Sequence, residues 1–324
     1  MFGRKKNKVA LPGSNMAPVG SNEILERLAE DYMKDRKWKR YFKFALLGLF
    51  ILYIVIIMTV AGSSGASVNA SKPHVAVVKL NGVIGGDGGV FSSQINKSLR
   101  SAFESKQSKA VVLHLNSPGG SPVQSAEINV EISRLQNLYP AKTVYAVMSD
   151  VCASGCYFVA AAADEIYANK SSIVGSIGVR MDSFGFVDTL EKLGVERRSL
   201  TAGKNKAILD PFLPTVASQQ AHAQKMLGIV HQQFIDTVKD GRGERLSDNP
   251  DLFTGLFWSG ETAQTLGLID DFGSLDYVAR EVIGQETLVD YSYRPSFLEE
   301  FSNTLGVTIS NRITSAFTGQ LKIQ

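Results

Sequence analysis

The sequence predicts an α/β fold of repeated βα units, preceded by one apolar N-terminal helix. Three observations carry this. From residue 74 onward, apolar runs rich in Val, Ile and Leu alternate with segments of helical spacing. The runs are near-continuous instead of alternating apolar and polar, the mark of strands buried on both faces of a helix-covered sheet. Two Gly-rich turns follow directly on two of the runs, where an α/β sheet presents its chemistry.

The elements read in order as follows. Residues 1–43 hold 11 Lys/Arg against 5 Asp/Glu, a basic tail. Within it, 21–36 has helical spacing through Ile24, Leu28 and Met33. Phe44 to Ala61 is uncharged for 18 residues, about 27 Å as a helix and close to a bilayer's hydrocarbon thickness. Six Lys/Arg crowd its N-terminal side from Lys34 to Lys43, and the first after it is Lys72. The expectation is a transmembrane signal anchor with residues 1–43 in the cytoplasm and the remainder exported. Residues 62–72 form a Gly/Ser/Asn linker. A strand or strand pair over 74–84, a helix over 91–105, a strand over 110–116 and a helix over 122–138 follow. A strand over 143–148, a helix over 153–163 and a short strand over 165–168 complete the readable pattern. Residues 286–324 form a C-terminal tail that reads as amphipathic helix, strand or unstructured chain.

Composition narrows the function. At 324 residues, 44% hydrophobic and 20% charged, the chain has enough apolar residues for a sizeable core. Two cysteines argue against a disulfide scaffold, and four histidines without paired cysteines argue against a zinc site. Outside the tail, 23 basic residues face 26 acidic ones, so the bulk of the protein repels a phosphate backbone and no nucleic-acid partner is expected.

The first Gly-rich turn, NSPGGSP (116–122), is either an ordinary strand-to-helix turn or a set of outward-pointing amides that hold an oxyanion. The second, DVCASGCY (150–157), puts Ser154 at the start of an Ala-rich helix. There it is either an N-cap or a nucleophile at the positive end of the helix dipole. A nucleophilic serine needs a base. His114 is the histidine near either loop, His222 and His231 fall on a polar helix, and His74 is near the linker. A lysine serves only where burial lowers its pKa from about 10.4 toward 7–8. TAGKNKAIL (201–209) offers Lys204 and Lys206.

Four ordered stretches, VVLHLNSPGGS, DVCASGCYFVAAAADEIYANKSSIVGSIGV, GKNKAILDPF and FWSGETAQTLGLIDDFG, resemble the signal peptide peptidase A (protease IV) family in its short, membrane-anchored form. The resemblance covers roughly residues 73–285, the expected catalytic domain. It implies a Clp protease/crotonase-like fold and a serine peptidase with a Ser/Lys dyad. Carried over residue by residue, Ser154 matches the nucleophile and Lys206 the general base, with Lys204 a nearby decoy. Gly119 and Gly120 match the turn that supplies an oxyanion amide, and the Ser154 amide is the expected second donor. Ser176 matches a hydroxyl that holds the lysine. No cofactor is implied. The implied substrates are signal peptides left in the membrane after preprotein processing. The implied location is the bacterial cytoplasmic membrane, single-pass, with the catalytic domain outside. The short members form dome-like homo-oligomeric rings in which serine and lysine come from neighbouring protomers. One chain is therefore expected to hold Ser154 and Lys206 too far apart to hydrogen-bond.

One departure is Cys156, where the family usually has glycine; its side chain either narrows the groove or fills space beneath the helix. Cys152 and Cys156 bracket Ser154, and two buried thiols are expected. The alternatives are an acyl-CoA enzyme of crotonase type, disfavoured by the anchor, and a catalytically dead scaffold, disfavoured by the Ser154/Lys206 pair.

Overall fold

The computed structural model describes Met33, Trp38 and residues 41–56, 71–86 and 89–294. It falls into two units, Met1–Ser64 and Gly65–Gln324. In the first, residues 41–56 are helical and exposed. Among the described residues no helix is long and apolar enough to cross a membrane. Residues 57–61 of the expected span lie outside the described residues, as do nearly all of the helix expected over 21–36 and the tail from 295 onward.

The second unit is an α/β sheet. Strands β1 (His74–Asn81), β2 (Ser108–Ser117) and β3 (Val144–Ala153) are its centre. They pair in parallel, with Val77 opposite Val112 and Leu113 opposite Ala146. Between them run helices α1 (Ser92–Glu104) and α2 (Pro122–Leu138). The sequence starts α2 sharply: Ser121 caps it by accepting from the Gln124 amide, and Pro122 needs no partner for a missing N–H at the first turn. Its buried stripe, Ser125, Ile128, Ile132 and Leu135, has helical spacing.

The strands bury both faces. Val78, Leu80, Val111, Leu113, Leu115 and Ala146 meet α1 and α2 through Ile95, Leu99, Phe103, Ile128 and Ile132. Val75, Val77, Val112, Tyr145 and Val147 pack on the other side against Val278 and Ala279. Full burial of one such side chain stabilises by about 1.5–3 kcal/mol, so the apolar runs could not lie on an open sheet face without loss.

Beyond Ala153 come α3 (Gly155–Ala160), β4 (Glu165–Ala168), β5 (Ile173–Gly175), α4 (Val187–Lys192) and α5 (Ala217–Arg242). Then follow β6 (Phe257–Ser259), α6 (Gly260–Thr265), β7 (Asp271–Phe272), α7 (Leu275–Tyr277) and β8 (Leu288–Asp290). The eight-stranded sheet runs β6-β5-β3-β2-β1-β8, with β4 also on β3 and β7 on β4. All pairs are parallel except β5 with β6. This parallel mixed α/β sheet fits the Clp/crotonase-like expectation.

Two boundaries differ from the sequence reading. β3 continues five residues past Met148, because its first half pairs with β4 and its second half, Val151–Ala153, pairs with β5. The helix expected over 153–163 is therefore shorter, beginning at Gly155. The sheet also takes in Leu288–Asp290, which pairs with Val75–Val77 beyond residue 285, the expected end of the catalytic domain.

Candidate active site

Ser154 occupies the single residue between β3 and α3, with φ 52° and ψ −124°. A non-glycine residue at positive φ costs on the order of 1–3 kcal/mol and persists only where its surroundings impose it. Those surroundings are clear. The Ser154 amide donates to Gly175 O on β5 at 2.8 Å, and its carbonyl accepts from the Phe158 amide at 3.0 Å. Tyr157, fully buried one turn into α3, donates its hydroxyl to Leu268 O at 2.8 Å. Asn129 of α2 donates to Phe158 O at 2.9 Å.

The Ser154 side chain makes no capping bond, whereas Ser121, Ser259 and Ser274 each cap their helices. The N-cap reading therefore fails, and the hydroxyl has no partner among the described residues. It faces a cleft of about 1160 Å³ shared with Gly119, Gly120 and Ser176.

The Gly119–Gly120 turn leans on this serine. A Cβ built at Gly119, whose φ is +98°, would stand 2.7 Å from Ala153 O and Gly155 N and 2.8 Å from Ser154 Cβ. At Gly120 it would stand 2.1 Å from Ile84 O. Only glycine fits either place. The turn is tied down by Ile84 N donating to Gly119 O (2.9 Å) and Ser121 N donating to Ile84 O (2.8 Å).

The amides sort themselves. Gly119 N–H is taken by Ser117 Oγ at 3.1 Å. The Ser154 amide, expected as an oxyanion donor, is spent on Gly175 O. Gly120 N–H and Gly155 N–H have no acceptor among the described residues, and a Cβ added at Gly155 would stand 3.2 Å from Gly120 N. The second free donor is thus one residue later than expected, at the first residue of α3, where the helix dipole adds to its pull on an anion.

Ser176 also has positive φ, 52°, and its amide donates to Leu256 O at 2.8 Å. Lys206 is not gathered in. It lies on an exposed turn where its amide donates to Gly203 O, does not line the cleft, and makes no hydrogen bond to Ser154 or Ser176 among the described residues. Lys204 is exposed beside it. His114 is removed from the chemistry: it points to a separate cavity on the other sheet face, with Nε2 2.8 Å from Ser149 Oγ. Burial, with Lys79 nearby, lowers its pKa.

The cysteines correct an expectation. Cys152 and Cys156 form a disulfide across Ser154, with Cα atoms 5.1 Å apart. The strand-to-helix turn folds the chain back so that two residues on different elements meet within usual disulfide reach. Cys156 is fully buried in the main core, so it fills space beneath the helix and does not narrow the groove.

Three cleft residues gave no signal in the sequence. Glu127 and His231 lay among polar helical residues, and Arg180 in an unassigned loop. His231 is half-buried on α5, and its Nε2 is 3.1 Å from Ile177 O.

A family model, Peptidase family S49, matches residues 137–288, a span that holds Ser154, Ser176 and Lys206. The chain belongs to this family, that of signal peptide peptidase A and protease IV. It is 31% identical over 212 residues to protease 4 of Haemophilus influenzae, covering 62% of this chain and 33% of that one. It is 30% identical over 213 residues to the chloroplastic serine protease SPPA of Arabidopsis thaliana, covering 63% and 31%. A Brucella abortus protein named Na(+)/H(+) antiporter NhaA is 45% identical over 222 residues, covering 67% of this chain and 30% of that one. The chain thus spans about a third of each of these relatives. The antiporter name is that of the longer Brucella protein. It is at odds with the S49 match and with a parallel α/β sheet, and it is not carried over.

Proposed function

We propose that this chain is a membrane-anchored serine endopeptidase in which Ser154 is the nucleophile and Lys206, supplied by a neighbouring copy, is the base. The observation that carries the reading is the free Ser154 hydroxyl on a strained turn, with two unclaimed amides, Gly120 and Gly155, beside it. In the reaction, the Lys206 amine takes the Ser154 proton as Oγ bonds to the peptide carbonyl carbon. The Gly120 and Gly155 amides hold the oxyanion. The C–N bond then breaks, Lys206 returns the proton to the leaving amine, and water hydrolyses the ester. Ser176, on the cleft wall, steadies the incoming amine.

Sharing between copies is supported by the state of the segment that bears Lys206. Phe184, Leu193 and Leu200 are 76%, 69% and fully exposed. A homo-oligomeric ring would cover these apolar side chains while delivering Lys206. Residues 44–61 are the proposed anchor, leaving the domain from residue 73 on the extracytoplasmic side. Apolar peptides, among them cleaved signal peptides, are the proposed substrates, since the cleft wall carries Val123, Val130, Phe158 and Phe234. An anchored site raises the effective concentration of a membrane-held peptide.

The test is hydrolysis of a fluorogenic signal-peptide fragment by the detergent-solubilised full chain, by Ser154→Ala, by Lys206→Ala, and by the two variants mixed after subunit exchange. Activity in wild type, loss in each variant and partial recovery in the mixture are expected. Activity retained by Ser154→Ala sinks the reading. Activity retained by Lys206→Ala moves the base to His231, which lines the cleft.

A further inference from the structure

The cleft beside Ser154 is apolar on most of its wall, and Glu127 is the one carboxylate among its lining residues. Glu127 stands on α2 four residues after Val123 and three before Val130, so the three share one helix face. Val123 and Val130 are 67% and 65% exposed, apolar side chains turned to open space. The Ser92 hydroxyl donates to Glu127 Oε2 and fixes where the carboxylate points. The Asn96 side chain, one turn on in α1, donates to the Glu127 carbonyl at 3.4 Å and holds the backbone.

No Lys or Arg pairs with Glu127 among the described residues. The other ionised group at the cleft, Arg180, pairs with Asp182 instead, at 3.4 Å. Two other carboxylates beside the core do have cations: Glu131 takes Arg100 and Arg134, and Asp270 takes Arg242 and Arg245. A held, unpaired carboxylate between two exposed valines is therefore set to receive a cation from outside the chain.

Taking Ser154 as the nucleophile, we propose that Glu127 is a specificity-determining residue that selects a basic side chain, Lys or Arg, in an otherwise apolar peptide substrate. Spacing refines the class. Four helical residues rise about 6 Å, close to the 6.8 Å covered by two residues of extended peptide. Val130, three residues on, lies about 4.5 Å along the axis, so a peptide laid along α2 would place apolar side chains one to two residues to either side of the basic one.

The experiment scans one apolar fluorogenic peptide, placing Lys or its neutral isostere norleucine at each position around the scissile bond. The kcat/KM ratio of the pair is measured for full-length wild type, Glu127→Gln and Glu127→Lys. Wild type is expected to favour lysine about three- to tenfold at one position, as befits a pair on a partly wet cleft wall. The ratio should fall toward one in Glu127→Gln, which still accepts from Ser92, and below one in Glu127→Lys. Raising salt should shrink the wild-type preference. A ratio near one at every position in wild type, or a preference that survives Glu127→Gln, overturns the proposal and leaves the catalytic reading intact. Cleavage by Ser154→Ala overturns the catalytic reading whatever the ratios show.

Discussion

Gly119→Ala is the sharpest probe of how the Ser154 turn is held. The new Cβ would lie 2.7 Å from Ala153 O and Gly155 N and 2.8 Å from Ser154 Cβ. All three atoms belong to the Ser154 turn, and two are backbone that cannot rotate away. An alanine at φ +98° adds backbone strain of about 1–2 kcal/mol, and forced overpacking adds about 1–3 kcal/mol. The expected stability loss is therefore about 2–5 kcal/mol, or roughly 5–15 °C in Tm for a domain of this size. The fold should survive that, but Ser154 should move by several tenths of an ångström and the Gly155 amide with it. A misplacement of about 1 Å costs about 100-fold in rate, so a loss approaching that is expected. The assay is kcat/KM on the fluorogenic peptide below the new Tm, paired with a melting curve. Gly284→Ala is the control, because its φ is +71° with nothing within 4 Å of the new Cβ. It should lose about 1–2 kcal/mol of stability and no activity. If Gly119→Ala keeps kcat/KM within threefold of wild type, contact with this glycine does not set the serine's position, and the reasoning fails.

Two further outcomes follow from the packing. Neither Cys152 nor Cys156 should react with an alkylating reagent until the chain is reduced, and the double alanine variant should be less stable by about 2 kcal/mol for so short a closed loop. Alkylation of the native, unreduced protein would refute the disulfide. Glu131 is held down to about 2 from 4.5, first by its hydrogen bond from Arg134 and then by Arg100, against the pull of burial. A depressed carboxyl pKa gives stability that is present above about 4.5 and is lost as the pH falls toward about 2. Glu131→Gln should thus cost at most about 2 kcal/mol at pH 7, discounted because both arginines are half-exposed, and nothing near pH 2. An equal deficit at both pH values, read from urea melts, would show that the charge is not what matters.

The sheet was legible because burial on both faces writes an unbroken apolar run, and α2 because Ser121 and Pro122 announce its start. The second half of β3 was hidden: Ser149 and Asp150 interrupt the apolar run, and its partner β5 is only three residues long. That same hidden extension concealed the disulfide, since it sets Cys152 on a strand and Cys156 on a helix with a reversal between them. Ser154, Gly119, Gly120 and Ser176 line one cleft. Which amide is free was not legible, because it depends on Gly175 O, whose position is set by pairing across β3 and β5. Glu127 looks in sequence like any solvated helix charge. Only its place on the cleft wall, a tertiary fact, distinguishes it.

The pairing of β1 with β8 joins Val75 to Leu288, and the cleft wall itself draws on residues from Val83 to Gly255. A chain made from its N-terminus therefore holds Ser154 before it holds the last cleft residues, and cannot close the groove around it until residue 255 has been added. Contacts this remote in sequence also form slowly. Synthesis order thus imposes a delay between having a serine and having somewhere to put a peptide.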